Sequence, residues 1–185
     1  MMLRGVTVAR CLRLAVLSIL LLSIGCSETD IGIDDLPPLP EEISSLPIGI
    51  LIEPEQSIVE AQHYDGTYLS GLTGPNIHTW DRTLTISALD SEVRVIQYGV
   101  FGWHEGHWID VTDEQKPYTA EELAEVLDCE DAILRVGESY ISDSFGNVSN
   151  VLRDTPVFYR WYFIGEADGN RVRGEVTLMD LPPAD

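Results

Sequence analysis

Polar and apolar residues alternate over much of the second half of the chain, and this period of two is typical of half-buried β-strands. The stretch Thr-Leu-Thr-Ile-Ser-Ala-Leu, for example, places Leu84, Ile86 and Ala88 on one face. The following strand, 92–101, changes phase part-way, and a β-bulge near Val95 would return its apolar residues to the inner face. The pattern predicts a mainly β fold, an antiparallel meander that forms a barrel or a sandwich.

The clearest predicted element is a long C-terminal β-hairpin. Its first strand, 157–167, is aromatic and β-branched, and its second strand, 171–179, alternates polar and apolar residues. Asp168-Gly169 lies between them and is a preferred pair for a type I′ turn. Because this loop sets the register, the strands are predicted to pair Glu166 with Arg171, Phe163 with Gly174, Trp161 with Val176 and Tyr159 with Leu178.

One short helix and two further strands complete the predicted elements. Thr119-Ala-Glu-Glu122 has the form of a capping box, so a helix is expected to begin there. The helix has a narrow apolar stripe and must pack on the sheet to persist, as a cover or a crossover. Strands are also predicted at 48–52, as a sheet edge, and at 133–141.

The first 26 residues differ in pattern from the rest of the chain. Three arginines, the last of them Arg13, precede a predominantly apolar run from Leu14 to Ile24. This run is too short to cross a hydrocarbon core, which needs about 20 residues, but it suits the central region of a secretory signal peptide. The segment 1–25 is therefore predicted to be a targeting signal.

The end of this segment reads Ser23-Ile-Gly-Cys26 and resembles the lipobox of bacterial lipoproteins. The resemblance implies that type II signal peptidase cuts between Gly25 and Cys26, that the Cys26 sulfur carries diacylglycerol, and that the new N-terminus is acylated, for example with palmitate. Two or three acyl chains hold a protein firmly on a bilayer. Ser23 departs from the commonest pattern, which has Leu there. Ser27, where an Asp favours retention at the inner membrane, implies an outer-membrane location.

Charge restricts the partners of the mature chain. After the signal peptide there are eight basic and 31 acidic residues, which give a formal charge of −23, and Lys116 is the only lysine. Such a field repels nucleic acid and anionic lipid headgroups, so the N-terminal lipid is the predicted membrane contact. The same field attracts divalent cations loosely. The remaining candidates are a protein or a small molecule of the cell envelope.

The mature chain divides in sequence into a tether and one domain. Residues 26–56 are rich in acidic residues and proline, a composition that favours an extended, self-repelling spacer. Residues 57–185 have the length of a single β-rich domain. Within them, glycine-rich segments at 64–71 and 163–174 are similar to hairpins of secreted bacterial β-meander domains, which implies an antiparallel barrel or sandwich.

Sequence motifs for catalysis and cofactor binding are absent. The chain has no P-loop, no Gly-x-Gly-x-x-Gly fingerprint and no Gly-x-Ser-x-Gly elbow, so no cofactor and no catalytic residue is predicted. His63 and His78 could act as general bases beside nearby aspartates, but structural histidines are the favoured interpretation. Cys129 has no partner once Cys11 and Cys26 are assigned to the leader and the lipid, so a buried, inert thiol is expected.

The densest cluster of polar and aromatic residues surrounds a Glu-Gly dipeptide. If Glu105-Gly106 forms a two-residue loop, His104 and His107 become a cross-strand pair with Cβ atoms about 5 Å apart. Two imidazoles at that spacing can chelate Zn²⁺, Ni²⁺ or Cu²⁺, with Glu105 or Asp110 as an oxygen ligand.

The favoured alternative for this cluster is an exposed tip with solvated histidines. Trp103 and Trp108 would then form a cross-strand aromatic pair. Such a tip can also contact a ligand or a partner, since Trp is common at binding hot spots.

Three functional hypotheses remain, in order of preference. The first is a lipid-anchored, extracytoplasmic binding or envelope-scaffold module without enzymatic activity, held at the bacterial outer membrane by Cys26. The second is a metal-binding periplasmic module that uses His104, His107 and Asp110. The third is a hydrolase of cell-wall or polysaccharide substrates, which requires two carboxylates of unequal pKa in one cleft.

Overall fold

The computed structural model of the chain describes residues 32–67, 73–112, 115–149 and 154–183. The predicted signal peptide and lipobox lie outside the described residues. Residues from Ile33 onward form one compact unit, and most of its regular structure is β. The predicted fold class is confirmed: the fold is mainly β and sandwich-like, and the described strands pair antiparallel except for a parallel pair at one edge of the large sheet.

The described residues contain thirteen strands, which form three sheets, and two α-helices. The strands are β1 (Ile50–Pro54), β2 (Ile58–Glu60), β3 (Gln62–Thr67), β4 (Thr73–Trp80), β5 (Leu84–Ala88), β6 (Val93–His104), β7 (His107–Asp110), β8 (Tyr118–Thr119), β9 (Ile133–Leu134), β10 (Tyr140–Ser142), β11 (Asn147–Ser149), β12 (Val157–Ala167) and β13 (Asn170–Leu181). The helices are α1 (Glu41–Ser44) and α2 (Ala120–Leu127). The sheet orders are β2-β13-β12-β6-β7, with β8 and β9 also on β6, then β1-β5-β10, and β11-β4-β3.

The C-terminal hairpin of β12 and β13 forms in the predicted register, with all four predicted cross-strand pairs present. Asp168 and Gly169 have φ angles of 50° and 76°, as a type I′ turn requires. Gly174 lies opposite Phe163. A Cβ atom on Gly174 would lie 2.7 Å from the carbonyl oxygen of Ile50, so glycine is what lets β1 approach the large sheet closely.

The central strand of the large sheet, β6, carries the predicted irregularity. Its pairing with β12 shifts between Ile164 and Gly165, which leaves Ile96 as an extra residue on β6. Because of this extra residue, Val95 and Tyr98 both reach the main core although three positions separate them. The bulge predicted near Val95 is confirmed.

The main core lies between the seven-stranded sheet and the β1-β5-β10 sheet. The alternation predicted for β5 is confirmed, because Leu84, Ile86 and Ala88 are all buried in this core. The strands before and after the turn at 90–91 belong to different sheets, since β5 pairs with β1 and β10 whereas β6 pairs with β12.

The helix α2 begins as the capping box predicts. The Thr119 hydroxyl accepts a hydrogen bond from the Glu122 backbone N–H at 3.3 Å, and the Glu122 carboxylate accepts one from the Thr119 N–H at 2.6 Å. Leu123 and Leu127 are buried against the core. The helix ends at Asp128, which adopts a left-handed φ of 48°.

The segment predicted to be a free tether differs in the structure, because the chain packs onto the domain from residue 33 rather than from residue 57. Leu36, Leu39 and Ile43 are buried. Leu39 and Ile43 share a cluster with Tyr162 and Ile164 of the large sheet. We call residues 36–46 the strap.

The strap was missed because its proline and acid content conceals apolar side chains three and four positions apart. Burying such side chains offsets the entropy lost on ordering the segment. The strap also contains α1, a second helix where one was predicted.

The strand predicted over 133–141 is two short strands that belong to different sheets. β9 pairs with β6, whereas β10 pairs with β5. Gly137, with a φ of +81°, lies between them. A single glycine in an otherwise strand-like run can mark either a bulge or a turn, and the periodicity does not distinguish them.

Candidate functional site

The β6–β7 hairpin has the geometry that its sequence predicts. Glu105 and Gly106 form its two-residue loop with φ angles of 47° and 86°, and His104 lies directly opposite His107. The His104 side chain is 63% exposed, and its Nε2 lies 3.8 Å from the Glu105 carboxylate. The Nδ1 of His107 lies 3.4 Å from the Glu105 carbonyl oxygen. Both imidazoles are therefore solvated groups at a hairpin tip.

The third residue of the predicted metal site lies apart from the two histidines. Strand alternation places Asp110 on the opposite face of β7 from His107. The Asp110 carboxylate accepts hydrogen bonds from the backbone N–H of Thr112 at 2.9 Å and from its hydroxyl at 2.5 Å. Over the described ranges, no group of three His, Cys, Asp or Glu residues is placed to hold a metal ion.

The two tryptophans of the predicted binding tip form an aromatic pair. Trp103 lies opposite Trp108, and their ring centres are 5.1 Å apart in an edge-to-face arrangement. The Trp108 indole N–H donates to the carbonyl oxygen of Pro37 in the strap at 2.8 Å. The Arg160 guanidinium lies 4.7 Å from the Trp108 ring centre and donates to the same carbonyl at 2.9 Å. Trp108 therefore contacts the strap, and Trp103, which lines the neighbouring groove, is the binding candidate of the two.

A shallow groove of ≈ 550 Å³ runs beside this hairpin. It combines half-buried aromatic rings with apolar side chains that are 38% and 44% exposed, those of Ile109 and Val111. The residues that line it are Gly102, Trp103, His104, Ile109, Val111, Thr155, Pro156, Val157 and Tyr159.

A second histidine pair lies on the β3–β4 hairpin. His63 is directly opposite His78, with ring centres 5.7 Å apart and ring planes inclined by 57°. The Nδ1 atom of His78 is buried and has no hydrogen-bond partner. The local sequence does not indicate this pair, because the glycine-rich segment 64–71 favours a hairpin within that segment rather than between the two longer strands.

The β11-β4-β3 sheet, which we call the third sheet, carries this pair beside a small pocket. His78 lies opposite Ser149 on β11, so His63, His78 and Ser149 form one row across three strands. Trp80 and Asn147 form the next row on the same face. The adjoining pocket has a volume of ≈ 110 Å³ and is lined by Trp80, Asn147, Val148, Ser149, Thr155, Val157, Tyr159, Asp180, Leu181 and Pro182.

Buried polar contacts join the third sheet to the seven-stranded sheet behind this pocket. Arg82 Nη2 lies 2.5 Å from the Asp180 carboxylate and donates to the Met179 carbonyl oxygen at 2.8 Å. The side chains of Arg82 and Asp180 are 0% and 5% exposed. Asn147 donates to Asp180 at 2.7 Å, and the Trp80 indole donates to a β13 carbonyl oxygen at 2.8 Å. These contacts hold the β3–β4 hairpin against the rest of the domain.

Cys129 is a free, buried cysteine, as the sequence predicts. Burial raises the pKa of its thiol, while a backbone hydrogen bond from Ala132 partly opposes that shift. The thiol form is a poor nucleophile, which agrees with a structural role.

Neither helix length nor comparison with known proteins assigns a function to these surfaces. The described residues include no helix that is both long and apolar enough to span a membrane. No protein-family model matches the chain, and no curated protein or solved structure is significantly similar to it.

Proposed function

We propose that this protein is a lipid-anchored binding module of the bacterial cell envelope, without enzymatic activity of its own. The observation that carries the proposal is the sequence Ile24-Gly25-Cys26 at the end of a basic and then apolar leader. Acyl chains on Cys26 would hold the protein on the outer membrane, and the acidic domain would remain off anionic headgroups.

The packed strap supports a short tether rather than a long one. The compact unit begins at Ile33, which is seven residues after Cys26. Seven residues span at most about 25 Å when fully extended, whereas a free spacer to residue 56 would reach up to about 90 Å. A partner of the domain would therefore lie close to the membrane that carries the lipid.

The groove beside the β6–β7 hairpin is the surface that we assign to this partner. Trp103 and Tyr159 offer half-buried aromatic faces, while Ile109 and Val111 offer exposed apolar area. Aromatic anchors next to polar groups are common at sites for proteins and small molecules. The ligand would be a neutral or cationic envelope component, because the domain is strongly acidic.

The anchor is tested by comparing Cys26→Ala with Cys11→Ala, a change to a leader cysteine outside the lipobox. We expect Cys26→Ala to abolish labelling by radioactive palmitate and to release the protein from membranes, because the acylated sulfur is lost. The Cys11→Ala protein should label and fractionate like the natural one. Globomycin, which inhibits type II signal peptidase, should leave an unprocessed precursor of the natural protein.

Two outcomes would reject the lipid anchor. One is a natural protein that fractionates as soluble with Cys26 present. The other is palmitate labelling that survives in the Cys26→Ala protein.

A second candidate function is metal binding at the β6–β7 hairpin, and the register that places His104 opposite His107 favours it. Calorimetric titration of the purified full chain with NiCl₂ would then show a site that disappears in the His104→Gln/His107→Gln protein. Equal heat from the natural and the doubly substituted protein would remove this candidate.

A further inference from the structure

We propose that His63 and His78 form a chelating site for a transition-metal ion, Zn²⁺, Ni²⁺ or Cu²⁺, on the face of the β3-β4-β11 sheet that also carries Trp80. This site differs from the predicted one at His104 and His107 and does not depend on the lipid anchor.

The distance between the two rings fits a shared metal ion. A zinc–nitrogen bond is about 2.0–2.1 Å long, and the imidazole ring adds about 1.1 Å to its centre, so two rings on one tetrahedral ion are about 5.2 Å apart. The ring centres of His63 and His78 are 5.7 Å apart. The observed separation exceeds this value by about half an ångström, and the register places the two residues directly opposite each other.

The Nδ1 atom of His78 provides an independent indication. It is buried and lacks a hydrogen-bond partner, although buried nitrogen atoms of this kind are normally satisfied. One nitrogen of a neutral imidazole carries a lone pair, which is the group that binds a metal ion, and the tautomer with that lone pair on Nδ1 leaves it available here. Coordination, directly or after rotation of the ring, would remove the cost of leaving that atom unpaired.

The net charge of the chain favours a divalent cation, and two histidines leave coordination positions open. The chain carries a formal charge of −20, which raises the local concentration of cations. Two histidines supply two of the four ligands that zinc prefers. Water or a bound molecule would complete the set, and the ≈ 110 Å³ pocket that adjoins the next row of the sheet provides space for one.

The test is calorimetric titration of the purified full chain, in detergent, with ZnCl₂, NiCl₂ or CuCl₂ alone. We expect one equivalent of metal to bind through this pair, with Cu²⁺ tighter than Zn²⁺. His63→Gln should weaken the affinity by at least the roughly 10–100-fold that follows loss of an outer-shell partner. His63→Gln/His78→Gln should remove that equivalent. The matched control, His104→Gln/His107→Gln, should retain it.

Unchanged binding in the His63→Gln/His78→Gln protein would overturn the proposal. So would loss of all binding in the His104→Gln/His107→Gln protein alone, which would assign the metal to the other hairpin. The imidazole NMR resonances of the natural protein provide a second measurement that does not depend on the folding of the double variant. Substoichiometric ZnCl₂ should shift those of His63 and His78, and unperturbed resonances of both would reject the site.

Discussion

The β3–β4 and β6–β7 hairpins each place two histidines directly opposite each other, but the surroundings of the two pairs differ. All four histidines of the chain belong to these pairs, His63 with His78 and His104 with His107. The pair on β6–β7 stands at a tip, where the His104 side chain is 63% exposed and lies near the Glu105 carboxylate. The pair on β3–β4 lies next to a buried tryptophan, and its rings are 5.7 Å apart.

A shared register is not sufficient for a chelating site. Register places two Cβ atoms about 5 Å apart in both hairpins, but packing decides which rotamers the rings can adopt. Each side chain that becomes immobilised on binding costs about 0.5–1.5 kcal/mol. In the β3–β4 pair the rings are 5.7 Å apart and the His78 Nδ1 atom is buried, so we expect this pair to be the better-prepared site.

The largest expected effect on stability comes from removing the buried ion pair of Arg82 and Asp180 next to the β3–β4 hairpin. Arg82→Ala would leave the Asp180 carboxylate buried without its cation, which should lower the free energy of unfolding by about 3–5 kcal/mol. Urea denaturation measures this loss. The matched control Arg94→Ala removes an exposed arginine and should change stability by less than about 0.5 kcal/mol. Equal stability of the two variants would show that the ion pair does not hold the third sheet in place.

A smaller difference in stability is expected between substitutions of Trp80 and Trp108. The indole N–H of each donates to a backbone carbonyl at 2.8 Å. Trp80→Phe leaves a carbonyl unpaired in a buried setting and should cost about 1–2 kcal/mol. Trp108→Phe acts at an exposed contact with the strap, where water can replace the donor, so about 0.5 kcal/mol is expected. Chemical denaturation of both proteins gives the comparison. A larger loss from Trp108→Phe would mean that the strap contributes more stability than the contact at β13.

The smallest effect concerns the loop of the β6–β7 hairpin. Glu105 has a φ of 47°, which Asn tolerates better than Glu, so Glu105→Asn should stabilise the protein by about 0.5 kcal/mol. Asp168→Asn is the matched control in the other type I′ turn and should be nearly neutral, because Asp already suits that conformation. Thermal unfolding monitored by circular dichroism measures both changes. Destabilisation by Glu105→Asn would show that the contact between Glu105 and His104 matters more than backbone strain.

Several parts of this fold follow from local sequence alone. The alternation in β5, the bulge near Val95, the capping box at Thr119 and the type I′ turn at Asp168 each depend on neighbouring residues. Side-chain period and turn chemistry act over a few positions, so a single sequence reveals them. The cross-strand pair of His104 and His107 was predictable for the same reason, because two residues separate its members.

Tertiary structure decided the features that join distant parts of the chain. The strap packs because Leu39 and Ile43 meet a face of the large sheet that is formed more than 100 residues later. The pair of His63 and His78 forms because strands that flank a longer connection come into register. The ion pair joins Arg82, in the connection between β4 and β5, to Asp180 on β13 of the seven-stranded sheet. Burial and long-range pairing are properties of the assembled core, and no local period encodes them, whereas turns and caps carry their own residue preferences.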